Sequence, residues 1–269
     1  QRLRDAGFKV GFHMMPGQPG TSVAMAREDG RRLFDDPRWR PDYLKIYPTL
    51  VVRGTRIYDM WRTGEYEPLT NDQAADLVAE IKADLPPYVR LQRVQRDIPA
   101  DFIDAGVWKS NLRQLARKRM DEHGWRCDCI RCREVGMNDE EPDDVELQVR
   151  TYEAGSGTEH FLSFEAPDQN LLIGFLRLRF PSEPRRAELQ DAAIIRELHV
   201  YGNEVGLGET GEEFQHKGFG KRLVREAESL ATEAGYEKLS VIAGIGAREY
   251  YRQELAYEQD GTYVSKPLT

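Results

Sequence analysis

The sequence has little cysteine and little histidine, and it lacks a long apolar run. Three cysteines occur among 269 residues, all of them between positions 127 and 132, and histidine occurs five times. A tight cluster with an odd number of thiols argues against a disulfide framework and for a metal site in a reducing, cytoplasmic compartment. No apolar run approaches the roughly 20 residues of a membrane helix, so we expect no membrane association. The P-loop pattern G-x-x-x-x-G-K-[ST] is also absent, which leaves nucleoside triphosphate binding without support.

The composition is typical of a soluble globular protein, with 40% hydrophobic and 31% charged residues. The chain opens at Gln1 without a methionine. Its first stretch, QRLRDAG, looks like the end of a helix rather than a signal peptide. We therefore expect a fragment that starts inside a domain.

The net charge of −8 is unevenly distributed along the chain. Residues 88–133 carry 11 Lys and Arg against 6 Asp and Glu, whereas residues 137–269 carry 14 against 26. A basic segment within an acidic protein can attract a polyanion locally, although a solvated helix face would have the same composition.

Residues 1–87 alternate strand and helix patterns. Apolar strands are predicted at 8–15 and 43–47, and helices at 22–35 and 72–85. This order favours parallel βα units of an α/β fold, with too few strands to close a barrel.

The pattern of charged and apolar residues changes along the rest of the chain. A basic helix is predicted at 110–122, with Ser110 as its cap, and the acidic stretch 138–146 is taken as a domain junction. Beyond the junction, a mixed sheet with flanking helices is predicted. Its strands are expected near 147–152, 159–164, 171–179, 193–201, 238–243 and 262–266, and its helices at 220–234 and 247–254.

A glycine turn opens the helix at 220–234. The stretch QHKGFG, with Gly218 and Gly220, connects the strand at 193–201 to that helix. Glycines allow close approach of the backbone, and helix N–H groups with the helix dipole form an anion site. The sequence therefore predicts a bound anion here.

A literal G-x-G-x-x-G lies just before this turn, at Gly206, Gly208 and Gly211. It is followed by Glu212 and Glu213, which would repel a pyrophosphate, and the helix begins several residues later. We reject it as a dinucleotide fingerprint.

The cysteines Cys127, Cys129 and Cys132 have the spacing C-x-C-x-x-C. Three thiolates so close suit one structural zinc whose fourth ligand comes from elsewhere, with His123 as the nearest candidate and His13 as a distant one. An iron–sulfur site and three unliganded thiols are the alternatives. The C-x-x-x-C-x-x-C spacing of a radical S-adenosylmethionine cluster is not present.

Several stretches together resemble one family, the catalytic subunit of Elongator. They are GFHMMPGQPG, LKIYPTLVVRGTRIYDMW, VRLQRVQRDIPA, SNLRQLA, CRE, RELHVYG, FQHKGFGKRL and REYYR. The resemblance runs over nearly the whole chain, and the three-cysteine pattern looks like the bacterial or archaeal form. It implies the last part of a radical S-adenosylmethionine TIM barrel (1–87), a basic linker with a zinc knuckle (88–136) and a GCN5-related N-acetyltransferase domain (137–269).

The resemblance also implies a reaction. Acetyl-CoA supplies an acetyl group that becomes attached to C5 of the wobble uridine of tRNA as a carboxymethyl-type modification. In the full-length family, this uses S-adenosylmethionine and a [4Fe-4S] cluster whose cysteine ligands are absent here. The expected partners are the tRNA anticodon stem-loop and either Elongator-type accessory subunits or a second copy of the chain.

The coenzyme loop of that acetyltransferase family has the form Q/R-x-x-G-x-G/A, which matches Gln215, Gly218 and Gly220. Pantetheine would pair with the exposed backbone of the preceding strand, and a tyrosine hydroxyl would protonate the leaving thiolate. Tyr250 and Tyr251 are the catalytic candidates, although two adjacent helical residues do not easily face one site. The expected coenzyme-binding residues are Glu197, Leu198, His199, Val200, Gln215, His216, Lys217, Gly218, Phe219, Gly220 and Lys221; His199 also fits a packed strand position.

The resemblance also explains the basic segment, because its cations can bind tRNA phosphates. The expected tRNA contacts are Arg90, Arg93, Arg96, Lys109, Arg113, Arg117, Lys118 and Arg119. Two competing functions remain. One is a protein lysine acetyltransferase with Glu197 or His199 as the base, and the other is a non-catalytic tRNA-binding module that senses acetyl-CoA.

Overall fold

The structure, a computed structural model, describes residues 1–138, 140–201 and 218–268. Two compact units are present: one is Gly11–Cys132, and the other combines Gln1–Val10 with Arg133–Thr269. The first ten residues thus pack with the carboxyl-terminal part of the chain, a division that differs from the three segments expected from the family. No described helix has both the length and the apolar character needed to cross a bilayer.

The elements follow one another in the expected α/β order. The helices are α1 (Arg2–Asp5), α2 (Val23–Asp35), α3 (Arg56–Thr63), α4 (Asn71–Ala83), α5 (Leu112–His123), α6 (Ile130–Arg133), α7 (Phe219–Glu233) and α8 (Arg248–Leu255). The strands are β1 (Gly11–Met14), β2 (Tyr43–Ile46), β3 (Arg90–Arg93), β4 (Glu146–Ala154), β5 (Gly157–Ala166), β6 (Leu171–Phe180), β7 (Ala192–Val200), β8 (Lys238–Val241), β9 (Glu258–Asp260) and β10 (Tyr263–Pro267).

The unit Gly11–Cys132 contains a three-stranded parallel sheet in the order β1–β2–β3. Helix α2 begins where predicted, because the Ser22 hydroxyl accepts a hydrogen bond from the Met25 N–H at 3.1 Å. The Thr70 hydroxyl and the Gln73 side chain form a capping box that starts α4. The predicted cap of the basic helix is wrong: α5 begins after Asn111 rather than at Ser110. Helix α3 was not predicted from the sequence.

The other unit is built on a seven-stranded sheet in the order β4–β5–β6–β7–β8–β10–β9. All neighbouring strands are antiparallel except β7 and β8, which are parallel and are connected through α7. On one face, the amphipathic helices α7 and α8 cover a core that includes Leu176, Ile195, Leu223, Val224 and Tyr251.

The opposite face of this sheet holds charged residues, and the first ten residues of the chain pack on it. The Glu159 carboxylate is fully buried and lies 2.8 Å from Arg196 Nη2, 3.2 Å from Arg179 Nη1 and 3.8 Å from Arg4 Nη1. Arg179 also donates to Asp5 at 2.6 Å. This ion network fixes α1 and the residues around it on the sheet.

Candidate coenzyme site and thiol cluster

The start of α7 has the geometry of an anion site. Gly218 precedes the helix in the left-handed conformation, with φ of 73°, and no described side chain caps the helix. A Cβ placed on Gly218 would meet no atom of the described residues within 4 Å, so none of these residues fills the space beside this backbone. The first turn of a helix presents N–H groups and a partial positive charge to that space. The predicted residues Gln215, His216 and Lys217 lie outside the described residues.

The strand before the helix separates from its parallel neighbour. The register of β7 with β8 covers only Ala192–Ile195, whereas β7 continues to Val200. A bulge in the pairing of β6 with β7 leaves Arg196 as the extra residue at the point where the separation begins. Among the described residues, the last part of β7 therefore pairs with β6 alone, which gives it the form of a strand edge to which an extended ligand could add.

Tyr250 lies beside both of these features. A Cβ on Gly220 would lie 3.1 Å from the Tyr250 hydroxyl oxygen and 3.7 Å from a methyl group of Val200. A methyl group of Leu198 lies 4.0 Å from the same Cβ position. Burial raises the pKa of Tyr250, so its hydroxyl keeps its proton at neutral pH. The fold thus brings the start of α7, the end of β7 and Tyr250 close together.

Two other predicted residues place their side chains in the core. Tyr251 is 5% exposed and packs its ring against that of Tyr257, and burial raises its pKa strongly. Phe219 is also buried, with its ring 4.8 Å from the ring of Phe164. Of the two adjacent tyrosines, only Tyr250 reaches the helix start. Phe219 can contribute there only through its backbone.

The carboxylate of Glu197 is held by two cations that the sequence did not reveal. Lys9 Nζ and Arg177 Nε each lie 2.9 Å from one of its oxygens. Burial acts to raise the pKa of Glu197, but Arg177 and Lys9 outweigh it, and the pKa falls below its usual value. The neighbouring His199 is exposed, with its ring 4.3 Å from that of Tyr201. Lys221, also predicted at the site, donates to Glu254 at 2.6 Å.

The three cysteines converge, with their sulfur atoms within 4.8 Å of one another. Cys129 is fully buried, and thiol hydrogen bonds from Cys127 and Cys132 lower its pKa, helped by the Leu91 N–H. These bonds favour a thiolate, the form that ligates metals, at Cys129, whereas the hydrogen bond to Cys129 raises the pKa of Cys127. Among the described residues no histidine or carboxylate joins the group, and His123 instead stacks on Trp125 at 4.4 Å.

The predicted tRNA-binding cations differ in their surroundings. Arg113 is half-buried and donates to the carbonyl oxygens of Leu91 and Gln92, and burial lowers its pKa. Arg119 forms ion pairs with three carboxylates, those of Asp72, Asp76 and Glu122.

The other cations of this set also differ in their surroundings. Arg93 pairs with Asp97, Lys118 lies 3.8 Å from Glu122, and Arg90 is half-buried in β3. Arg96, Lys109 and Arg117 are exposed and form no ion pair with the described residues. The segment is therefore partly structural, and only some of its cations are available to a ligand.

Sequence comparisons match both units to known families. Residues 41–122 match the radical SAM C-terminal domain, and residues 125–257 match the acetyltransferase (GNAT) family. The chain is 46% identical over its whole length to a Methanocaldococcus jannaschii protein named tRNA uridine(34) acetyltransferase, and it covers 51% of that protein. It is also 46% identical to Elongator complex protein 3 of Homo sapiens, with 98% of this chain and 50% of the relative covered.

A solved structure is similar throughout the chain. The archaeal Methanocaldococcus infernus Elp3 with an N-terminal deletion (1–46) aligns with a TM-score of 0.92 at 45% identity, covering 99% of this chain and 65% of that one. The chain spans about half the length of the relatives it matches.

Proposed function

Because the chain belongs to the Elongator catalytic-subunit family along its whole length, we propose that it takes part in acetyl-CoA-dependent modification of tRNA at C5 of the wobble uridine, with a carboxymethyl-type product. The observation that carries this proposal is the convergence of the α7 start, the separated end of β7 and Tyr250. The names of the relatives support tRNA as the substrate. A tRNA substrate and clustered thiols both agree with a cytoplasmic location.

Each part of the site has a role in this proposal. Acetyl-CoA, when bound, supplies the acetyl group. The N–H groups from Gly218 to Lys221 bind its pyrophosphate, because glycine allows close approach and the helix start favours an anion. The end of β7 orients the pantetheine arm through backbone hydrogen bonds. Tyr250, which is protonated at neutral pH and whose pKa burial raises further, holds at its hydroxyl the proton that the leaving sulfur takes.

Glu197 does not support the alternative function, a protein lysine acetyltransferase. Its two ion pairs stabilise the carboxylate and lower its pKa, which makes it a weak base. The radical step that the family implies requires S-adenosylmethionine and an iron–sulfur cluster. The cysteine spacing in this chain does not fit that cluster. The relatives named as Elongator subunits support accessory subunits as partners.

The coenzyme assignment can be tested by Gly218→Glu. A side chain there would project beside the helix start, where no described atom lies within 4 Å of the Cβ position, and its charge would repel the pyrophosphate. We expect acetyl-CoA binding, measured by calorimetry, to be lost. Gly124→Glu is the matched control, because Gly124 has a φ of 67° at the end of α5 and, like Gly218, no described atom within 4 Å of an added Cβ. It imposes the same backbone strain and should leave binding intact. Equal affinities for both variants would refute the assignment.

We also propose that Cys127, Cys129 and Cys132 bind one structural zinc ion. Three sulfur atoms within 4.8 Å of one another, one of them favoured as a thiolate, form the donor set that zinc prefers. Cys129→Ser should release the metal and lower the thermal midpoint, because a structural zinc contributes folding free energy directly. Elemental analysis of the parent that shows iron, or no metal, would contradict the proposal.

A further inference from the structure

A cavity of about 450 Å³ lies where the chain leaves β3 and approaches α5. Residues 95–98 and 108–111 form most of its lining. Its volume falls within the range of small-molecule sites. In parallel βα folds, ligands bind at the carboxyl ends of the strands. Residues 95–98 directly follow the carboxyl end of β3, so the cavity is on the side of the sheet where such folds bind their substrates.

The lining combines an exposed aromatic ring with cations. Trp108 is 55% exposed, and Lys109 Nζ lies 5.9 Å from the centre of its ring. Arg96 also lines the cavity and forms no ion pair with the described residues. Asp97 is the one carboxylate of the lining, and Arg93 neutralises it. A ring beside unpaired cations is the surface that single-stranded nucleic acids contact with base and phosphate together.

An amide completes this lining. Gln95 borders the cavity, and its Oε1 atom is buried without a hydrogen-bond partner among the described residues. A buried acceptor without a partner is costly, and a ligand donor would satisfy it. An amide both donates and accepts, which matches the pairing edge of a nucleobase.

We propose that this cavity binds one unstacked base of a tRNA loop, together with its neighbouring phosphates. Trp108 stacks on the face of the base, Gln95 hydrogen-bonds to its pairing edge, and Arg96 and Lys109 contact phosphates. A uracil fits the amide, because its N3–H donor lies between two carbonyl acceptors. This inference rests on the proposed tRNA function and adds a base-binding subsite to it.

The test uses the full chain and two anticodon stem-loop RNAs, one with uridine at the wobble position and one abasic there. Stacking contributes about 1–3 kcal/mol per base, so the parent should prefer the uridine loop on the order of 10-fold. Trp108→Ala should bind both loops equally, and Trp108→Phe should restore the preference. Trp125→Ala replaces another exposed tryptophan of the same unit that does not line the cavity. It should retain the preference.

The preference should stay constant between low and high salt, because stacking releases no counterions. Lys109→Ala should instead lower the affinity for both loops by the same factor. It should also reduce the dependence of that affinity on salt concentration. A parent that binds both loops with equal affinity overturns the subsite while leaving tRNA binding in place. A preference that survives in Trp108→Ala, with folding verified by thermal unfolding, also overturns it. A parent that binds neither loop overturns the tRNA function and the subsite with it.

Discussion

Arginine is used differently on the charged face of the seven-stranded sheet and in the segment 88–133. On the sheet, Arg177, Arg179 and Arg196 are 3% exposed or less, and each is in an ion pair with a carboxylate. In the basic segment, Arg96 and Arg117 are exposed and form no ion pair with the described residues. The two regions contain the same side chain, and one region uses it to hold the fold while the other presents it to solvent.

The difference shows that local net charge does not identify a binding cation. Within the basic segment itself, Arg119 is bound to three carboxylates and Arg113 to two carbonyl oxygens. A cation already satisfied by the protein gains little from a phosphate, because it must give up existing bonds. Availability, rather than residue type, separates the structural arginines from the candidate RNA contacts.

The largest effect is expected from Glu159→Gln, which removes the carboxylate shared by three buried arginines. Loss of this shared carboxylate reduces the negative charge that compensates the buried arginines, although Arg179 keeps Asp5, and breaking a buried ion pair typically costs about 3–5 kcal/mol. The free energy of unfolding, measured with urea, should fall by that amount. Glu146→Gln, at an exposed position of β4, should change it by less than about 0.5 kcal/mol. Similar losses in both variants would mean that the network contributes no specific stability.

An intermediate effect that depends on pH is expected from Glu197→Gln. The folded pKa of Glu197 lies below its usual value of 4.5, so its contribution to stability is present above that pH and is lost as pH falls through the folded pKa. At pH 7 the variant should be less stable by about 1–3 kcal/mol, since Arg177 loses this ion pair. The difference from the parent should shrink in urea titrations as pH falls below about 4.5. A difference that stays constant down to acid pH would contradict the ion-pair explanation.

The smallest effect is expected from two substitutions on α5. Arg117→Ala should reduce the slope of log affinity for tRNA against log salt by about 1, because one exposed cation no longer displaces counterions. Arg119→Ala removes a cation held by three carboxylates and should leave the slope unchanged. A binding titration over several salt concentrations measures both. If Arg119→Ala flattens the slope as much as Arg117→Ala, the distinction between paired and available arginines does not hold for this helix.

Much of the fold follows from local sequence patterns. The strands β1 and β2 and the helices α2, α4 and α7 appear within a few residues of their predicted positions, because apolar periodicity and caps are local signals. Helix α3 was missed, although Thr55 caps it, because eight residues are too few to establish a helical period from the sequence alone. Ala256 shows a further limit: it has a φ of 60° directly after α8, a backbone conformation that nothing in its residue type predicts. A left-handed backbone costs a residue with a Cβ about 1–2 kcal/mol, which tertiary packing must offset.

The sequence by itself determined the glycine turn before α7, the spacing of the three cysteines and the concentration of cations between 88 and 133, because each lies within a short stretch of chain. Only the tertiary structure decided that Tyr250 rather than Tyr251 reaches the helix start, and that Glu197 is held by Lys9 and Arg177. It also decided which arginines remain available. These outcomes depend on residues far apart in the chain, whose burial and pairing arise only when the sheets and helices pack together.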